Sequence, residues 1–333
     1  MDGGPKQRPR FTFDSSLFTL QESPMPPPTL DITQPDAYRY TYSDAHPPVA
    51  HVKPGQQVRI HCVDCFENRL VSEDMKFDEV CEYPYLNPQT GPLFVEGAEP
   101  GDSLLVHIDD IELTRDWAVT GLVPRFGLLT ETTITAMLTP GLAETVHKLP
   151  IRDGRVWFGK RSRPLSPFMG TMGTAPKLEA INALTPSSYG GNMDCPETCP
   201  GNTVHLPVRV EGGLFFCGDG HATQGHGEIG GVACEVPVNL VCRFELAKGK
   251  TIAWPRITND DYLMVVGSAR PLEDATRIAC TELVKWVAED TGLSTEDALV
   301  WVTQIVELRV GNVCDPNYSV VAAVPRAALE EEG

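Results

Sequence analysis

The chain has 333 residues and is acidic, with a formal net charge of −18 at pH 7 and a pI near 4.8. Nucleic acids and anionic membrane surfaces need a cationic footprint on the protein, so we expect neither as a partner. Hydrophobic residues make up 41% and charged residues 22% of the chain, as in a globular protein large enough to bury a substantial core.

The sequence shows no sign of a membrane span or of export. It contains no run of about 18 apolar residues, the length that a membrane-spanning helix needs. Its first residues, Met1–Lys6, lack the apolar stretch of a secretory signal, so we expect a cytoplasmic location. The ten cysteines are then expected to be thiols. Cys62 and Cys65 form one close pair and Cys195 and Cys199 another, but their wide separation favours buried, inert thiols over a four-cysteine zinc site.

The sequence predicts an N-terminal arm followed by a body built of β-strands. Residues 1–48 are rich in proline and are expected to form an extended surface arm with a short strand at most. From Val58 onward, short alternating apolar runs are separated by many of the 29 glycines and 29 prolines. This pattern predicts packed antiparallel sheets in a sandwich or a barrel. The runs are Val58–Val63, Ser103–Ile108, Leu206–Val210 and Leu240–Leu246.

Helical periodicity is concentrated near the C-terminal end. Leu272–Asp290 carries an apolar stripe, Gly292 ends it, and Ser294 offers an N-cap with Asp297 three residues later. A second short helix and a strand at Glu307–Val310 are expected to follow. We therefore predict a mainly β fold, consisting of the Pro-rich arm (1–48), a sandwich-like part (49–145), a barrel-like part (146–255) and a smaller α+β part with a helix pair (256–333).

Ionisable side chains are concentrated in the segment Gly218–Glu228, where glycines allow sharp turns. Buried polar groups are costly unless they have partners, so these residues suit holding a cation and moving a proton better than filling a core. If a strand runs to His221, the side chain of Asp219 points to the same face. After the bend, His226 and Glu228 share a face in the same way, and such nitrogen and oxygen ligands suit zinc, manganese or iron. The alternative is a glycine-rich hairpin whose polar residues face solvent.

Other segments offer residues to the same site. Asn192 and Asp194 follow two glycines and lie two residues apart, although a simple turn is the default interpretation. Asp64 ends an apolar strand, where a carboxylate needs either a cation or hydrogen-bond partners, and both roles remain open. Thr90 and Gly91 could lend a hydroxyl and a backbone N–H to an oxyanion.

In this order, the segments resemble the acetamidase/formamidase family of amide hydrolases, from about residue 50 to residue 325. The resemblance implies a mainly β fold, a divalent metal, and hydrolysis of a short amide to a carboxylate and ammonia. The sequence departs from the family pattern at His226, where an acidic residue is expected, and at Asn87, where many members have histidine. Cys195–Cys199 is an unusual link between two motifs. The matching segments are Val63–Phe66, Thr90–Asp102, Gly170–Pro176, Gly190–Asp194, Gly201–Val208 and Gly218–Glu228.

The resemblance also suggests roles for single residues. Glu228 is expected to take the proton of water and return it to the departing nitrogen, and Asn192 or N–H groups near Gly191 to stabilise the oxyanion. The metal is expected to be Zn²⁺, with Mn²⁺, iron or Ca²⁺ as alternatives, and either Asp64 or His226 completes its ligands. The expected site residues are Glu228, Asn192 and Asp194 for catalysis, Thr90, Gly91, Gly191 and Gln224 for substrate binding, and Asp64, Asp219, His221 and His226 for the metal.

Two other interpretations remain open. A cysteine nucleophile, Cys65 or Cys217, could be activated by Glu67 or Lys177, although no nucleophile elbow is recognisable and a buried cysteine is usually inert. A non-catalytic β module could hold calcium with the same residues, although calcium prefers oxygen ligands and the key segment contains two histidines. As partners we expect a small neutral amide and, from the family precedent, further copies of the chain in a dimer or larger homo-oligomer.

Overall fold

The computed structural model describes residues 30–33, 38–129 and 142–330, so most of the predicted N-terminal arm lies outside the described residues. Strands dominate these ranges, and no helix within them is long and apolar enough to cross a membrane. The strands are β1 Leu30–Ile32, β2 Thr41–Ser43, β3 Ala50–Val52, β4 Gln57–Cys62, β5 Gln89–Val95, β6 Ser103–Leu113, β7 Trp117–Leu122, β8 Thr145–Arg152, β9 Arg155–Phe158, β10 Arg161–Pro164, β11 Phe168–Thr174, β12 Ala180–Asn182, β13 Gly190–Asn192, β14 Thr203–Pro207, β15 Phe215–His221, β16 Val238–Ala247, β17 Arg256–Thr258, β18 Tyr262–Ala269, β19 Glu307–Val310 and β20 Tyr318–Pro325. The helices are α1 Leu272–Thr291 and α2 Thr295–Ile305, with 3₁₀ turns at Phe77–Glu79 and Arg326–Leu329.

The described strands form four sheets. A nine-stranded sheet has the order β1-β4-β16-β6-β14-β17-β18-β20-β19, and a five-stranded sheet has the order β13-β11-β15-β5-β3. A four-stranded sheet, β10-β9-β8-β7, and the pair β12-β2 complete the set. The predicted mainly β class with a C-terminal helix pair is confirmed, and none of the described sheets closes into a barrel. The boundaries of the predicted parts stay a prediction.

The main core lies between the nine-stranded and five-stranded sheets. Residues of β4 and β6, such as Ile60 and Leu104, share one buried cluster with residues of β11 and β15, such as Met172 and Phe215. The rings of Phe215 and Phe244 meet edge to face across this interface, with centroids 5.1 Å apart. Burial of these large side chains provides the main stabilisation of the sandwich.

The C-terminal part forms as its sequence pattern predicts. Helix α1 buries its stripe against β18 and β20, and Gly292 ends it in the left-handed conformation with φ of 72°. The hydroxyl of Ser294 accepts a hydrogen bond of 3.1 Å from the backbone N–H of Asp297, which caps α2. Both predicted helices and the strand Glu307–Val310 are confirmed.

Three of the four strand runs predicted from alternation lie within strands β4, β6 and β16 to within one residue. The run Leu206–Val210 was predicted wrongly at its C-terminal end, because β14 stops at Pro207. Proline has no N–H with which to continue the hydrogen-bond ladder, so the chain leaves the sheet there.

Strand β11 lies at the centre of the arrangement that positions the polar residues. It pairs with β13 on one side and with β15 on the other. In this register Thr171 is opposite Asn192 on one neighbour and opposite Gly218 on the other. Residues from three separate sequence segments therefore lie side by side.

Candidate active site

Five carboxylates and one imidazole are buried together where β15 ends. Each of the six side chains is at most 9% exposed. Ligand atoms of Asp194, Asp219 and His221 lie within 4.8 Å of one another, and so do those of His221, Glu228 and Glu235. Asp315 adjoins Asp194 from the loop that precedes β20. We call these six residues the carboxylate cluster: Asp194, Asp219, His221, Glu228, Glu235 and Asp315.

The imidazole of His221 is oriented by Gln224. The side-chain N–H groups of Gln224 donate to two backbone carbonyl oxygens, each at 3.0 Å, which fixes the orientation of its amide. Its Oε1 therefore accepts a hydrogen bond of 2.9 Å from Nδ1 of His221. The other ring nitrogen, Nε2, lies 3.3 Å from Oδ1 of Asp219 and 3.2 Å from Oε2 of Glu235. Gln224 thus directs Nε2 towards two carboxylates.

A chain of amides holds the opposite side of the cluster. Asn87 donates at 2.9 Å to both the hydroxyl of Thr171 and Oδ1 of Asn192. Asn192 in turn donates to Oδ2 of Asp315 at 2.7 Å. The hydroxyl of Thr171 lies 3.2 Å from Oδ2 of Asp219 and also hydrogen-bonds Oδ1 of Asn192. These contacts fix the positions of two cluster carboxylates.

Burial and mutual repulsion perturb the pKa values of the cluster. Desolvation, reinforced by neighbouring carboxylates, raises the pKa of Asp194 and of Glu228 well above the usual range. Desolvation likewise raises the pKa values of Glu235 and Asp315 to about 7. Desolvation alone would lower the pKa of His221, but the adjacent carboxylates outweigh it and raise that pKa. With five carboxyl groups and one imidazole, the cluster cannot keep all its carboxylates ionised without a further cation.

The donor atoms of the cluster fit a divalent cation. Both carboxylate oxygens of Asp194 are buried without a hydrogen-bond partner, whereas buried polar atoms are normally satisfied. Nε2 of His221 and Oε2 of Glu235 form an ion pair at 3.2 Å, but neither atom makes a hydrogen bond. Gly170 leaves open the space beside them, since a Cβ there would lie 2.6 Å from Oδ1 of Asp194 and 2.7 Å from Oδ2 of Asp219. A mixed imidazole and carboxylate set is suited to zinc, manganese or iron.

A cavity of about 270 Å³ opens onto the cluster, and we call it the central cavity. Asn192 and four cluster carboxylates line its inner end. Small-molecule sites typically combine a concave, mostly apolar pocket with a few convergent polar groups. The four carboxylates are Asp219, Glu228, Glu235 and Asp315.

Two of the four predicted metal ligands lie away from the cluster. Oδ2 of Asp64 is 2.9 Å from Nη1 of Arg115, and its Oδ1 accepts hydrogen bonds from the backbone N–H groups of Phe66 and Asn68. His226 is exposed on the loop after β15, beside a second cavity. The structure therefore brings together Asp219 and His221, but neither Asp64 nor His226 joins them.

The four predicted substrate-binding residues do not all lie in the site either. Gln224 lies in the site, where it orients His221. The hydroxyl of Thr90 donates to the backbone carbonyl of His61 at 2.7 Å, so it is engaged within the β body. Gly91 packs so closely on β15 that a Cβ would lie 2.7 Å from the carbonyl oxygen of Phe215. Gly191 pairs within β13 opposite β11, next to Asn192.

Sequence reasoning missed several residues of the site. Glu235 follows the segment Gly218–Glu228 closely in the chain, whereas Asp315 lies far from it, and each is a single carboxylate in a loop without a recognisable motif. Thr171 and Gly170 lie in the Gly170–Pro176 motif, which was recognised without a role being assigned to either residue.

The model of the acetamidase/formamidase family matches residues 32–184 and 177–331. An acetamidase structure from Yersinia enterocolitica is 38% identical with a TM-score of 0.86, covering 89% of this chain and 90% of that one. An acetamidase from Bacillus halodurans is 30% identical with a TM-score of 0.82, covering 89% and 96%. A formamidase from Methylophilus methylotrophus is 29% identical over 238 residues, which span 55% of this chain and only 57% of that relative. These similarities confirm the resemblance seen in the motifs, and the chain belongs to the acetamidase/formamidase family of amide hydrolases, enzymes that act on carbon–nitrogen bonds.

Proposed function

We propose that the protein hydrolyses a small neutral amide to a carboxylate and ammonia with the help of a divalent metal. The observation that carries the proposal is the set of buried nitrogen and oxygen atoms that make no hydrogen bond and lie beside the central cavity. Asp194, Asp219 and His221, with Glu235 beside them, would hold the cation. A bound cation would supply Lewis acidity, which polarises the amide carbonyl and makes water a better nucleophile. Zinc suits the donors best, with manganese, iron and calcium as alternatives.

Glu228 is our candidate for general acid–base catalysis. Its carboxylate lines the central cavity and has a pKa raised by burial and by neighbouring carboxylates. A cation bound in the cluster would favour the ionised form of Glu228, and in that form its carboxylate can accept a proton from water. It then returns the proton to the amide nitrogen as the carbon–nitrogen bond breaks.

Asn192 is our candidate for contacting the amide oxygen. Its side chain lines the central cavity, and its orientation is set by Asn87 and Asp315. An amide nitrogen carries two hydrogens, so one N–H can go to Asp315 and the other to the oxyanion. Asp194, which the sequence assigned to catalysis, is better suited to the metal because both its oxygens lack partners.

The environment of the thiols argues against a cysteine nucleophile. Burial raises the pKa of both Cys65 and Cys217 well above the usual range, which disfavours the reactive thiolate. The carboxylate of Glu67 already accepts a hydrogen bond from Tyr40, and Lys177 is exposed. The non-catalytic calcium interpretation is disfavoured by the imidazole of His221 at the centre of the cluster.

The test is ammonia release from formamide, acetamide, propionamide and a small lactam, before and after chelation, with metal content measured on the same sample. We expect release to stop on chelation and to return with one divalent metal. Glu228→Gln should lower turnover by roughly 10²- to 10⁴-fold while the metal is retained. The matched control is Glu289→Gln on the surface of α1, which should change nothing.

Release that survives chelation, or near-normal turnover in Glu228→Gln, would contradict the proposal. A cytoplasmic location and a homo-oligomeric state stay predictions from the sequence and the family precedent.

A further inference from the structure

We infer that the preferred substrate is a carboxamide with an uncharged, apolar, ring-sized acyl group rather than formamide or acetamide. The inference rests on the proposed amide hydrolysis and names its substrate class. Water adds its oxygen to the carbonyl carbon, the carbon–nitrogen bond breaks, and the nitrogen leaves as ammonia once it has been protonated. Since the amide group has to meet the carboxylate cluster at the inner end of the central cavity, the acyl part of the substrate has to lie in the remainder of that cavity.

The central cavity has two chemically different ends. Its inner end contains the cluster carboxylates and Asn192, whereas its walls away from the cluster are largely apolar. Several of these apolar side chains are only half-buried, although side chains of this type favour full burial. An acyl group placed against them would cover this apolar surface, which is favourable. The apolar wall residues are Phe66, Leu86, Val123, Phe126, Leu184 and Val232.

One wall of the cavity is supported by a separate core cluster. Val123 and Val232 pack against buried residues that include Phe66 and Phe77, whose rings are 5.3 Å apart. The backbone carbonyl of Val232 also accepts a hydrogen bond of 2.9 Å from the hydroxyl of Thr120. Packed interiors do not collapse freely around a small ligand, so this wall cannot close around acetamide.

The size of the cavity decides which acyl group fits. A dry cavity of about 150 Å³ lined by leucine, isoleucine and phenylalanine is large enough to bind benzene. The central cavity, at about 270 Å³, can therefore hold a six-membered ring together with the amide group. Formamide or acetamide would leave most of the apolar wall uncovered. Each methylene in such a pocket changes kcat/KM by roughly 10- to 200-fold.

Charge excludes acidic acyl groups from the same space. Four carboxylates line the inner end, and a substrate carrying a further carboxylate would be repelled by them. Arg125 is the one basic side chain among the described lining residues, and it is exposed. An acidic acyl group is therefore excluded, and because the rest of the wall is apolar, a charged acyl group of either sign would lose its hydration without gaining a partner there.

The experiment compares kcat/KM for acetamide, isobutyramide, benzamide and cyclohexanecarboxamide with the metal-loaded protein. We expect at least one ring amide to exceed acetamide by roughly tenfold or more. Val232→Phe and, independently, Leu184→Phe fill the cavity from two chain segments and should lower the ring-to-acetamide ratio by roughly tenfold or more. Val71→Phe is the matched control, since Val71 is exposed outside the cavity, and it should leave the ratio unchanged.

The outcomes separate this inference from the proposed function. Hydrolysis of acetamide in preference to every ring amide would overturn the inference and leave amide hydrolysis intact. If no amide is hydrolysed, the proposed function fails, and calorimetric binding of benzamide decides the inference. Binding that Val232→Phe and Leu184→Phe abolish would support a ring-amide cavity, whereas absence of binding to the parent protein would overturn it.

Discussion

Gly170 illustrates how a missing side chain shapes the carboxylate cluster. It lies in β11, and a Cβ at this position would be 3.0 Å from Cε1 of His221 and closer still to the carboxylates of Asp194 and Asp219. The two contacts with the carboxylates are shorter than real Cβ atoms make, so the site requires glycine here for space. The hydrogen of Gly170 leaves room where the cluster has unpartnered donor atoms.

Replacing Gly170 by alanine should therefore abolish metal uptake and amide hydrolysis. The added methyl group would displace Asp194 and Asp219 from the positions that suit a cation. Gly225→Ala is the matched control within the segment Gly218–Glu228, because its Cβ would meet no atom closer than 3.9 Å. Metal content by elemental analysis and ammonia release measure the effect, and circular dichroism checks the fold. A Gly170→Ala protein with full metal content would show that the cation does not use this space.

The sequence predicted the orientation of the site side chains correctly within strand β15 but not in the loop that follows it. Asp219 and His221 were paired correctly on one face because β15 extends to His221. Alternation fails beyond that residue, since the chain continues as a loop in which His226 points to solvent while Glu228 turns inward. The backbone of Glu228 has a φ of 45°, a turn conformation that no alternating pattern predicts.

At the scale of elements, Arg115 connects the segments around the central cavity. It precedes β7, and its Nη1 is paired with Asp64 at 2.9 Å. Its Nη2 donates to the backbone carbonyl of Glu235 at 3.2 Å, and its guanidinium lies 3.6 Å from the ring centroid of Trp117. Asp64 therefore supports the turn that carries the cavity residues Cys65 and Phe66, and Arg115 supports the segment that carries Glu235.

Asp64→Ala should destabilise the fold by about 3 to 5 kcal/mol without removing the metal. The cost arises because Arg115 would be left as a buried charge without its partner, and the turn would lose two hydrogen bonds to Oδ1. Asp31→Ala is the control, since Asp31 pairs with His61 at the surface and such pairs contribute about 1 kcal/mol or less. Urea denaturation and metal analysis of the same samples measure both effects. Loss of metal with unchanged stability would instead make Asp64 a ligand.

At the scale of the whole molecule, the pairing of distant strands determines where the site forms. Helices α1 and α2 follow from local periodicity and capping, which a sequence displays directly. The sheets do not, because β16 pairs with β4 and β6, and β15 with β5 and β11, all far apart in the chain. Asp315 reaches the cluster only through this non-local arrangement, so no local pattern could have assigned it, whereas Glu235 is close in the chain and pairs through its backbone with His221.

The same assembly should make the stability of the protein depend on the proposed cation. Unpaired carboxylates repel one another in the buried cluster, and a cation that binds only the folded chain relieves this repulsion. Metal at a free concentration 100 times its Kd should stabilise the fold by about 2.7 kcal/mol. That gain corresponds to a rise in Tm of roughly 4 °C for a chain of this length, because the entropy of unfolding grows with the number of residues.

Chelation should therefore lower the Tm of the parent protein by several degrees, as measured by calorimetry. In Asp219→Asn the donor set is incomplete, so chelator and added metal should both have little effect on Tm. Asp260→Asn is the matched control on the exposed loop before β18, because it removes one negative charge as Asp219→Asn does but leaves the cluster intact. Its change in Tm on chelation should therefore equal that of the parent. The contrary result would be an unchanged Tm in a parent sample that has measurably lost its metal on chelation. It would mean that the cluster is stable without a cation and that its carboxylates share protons instead.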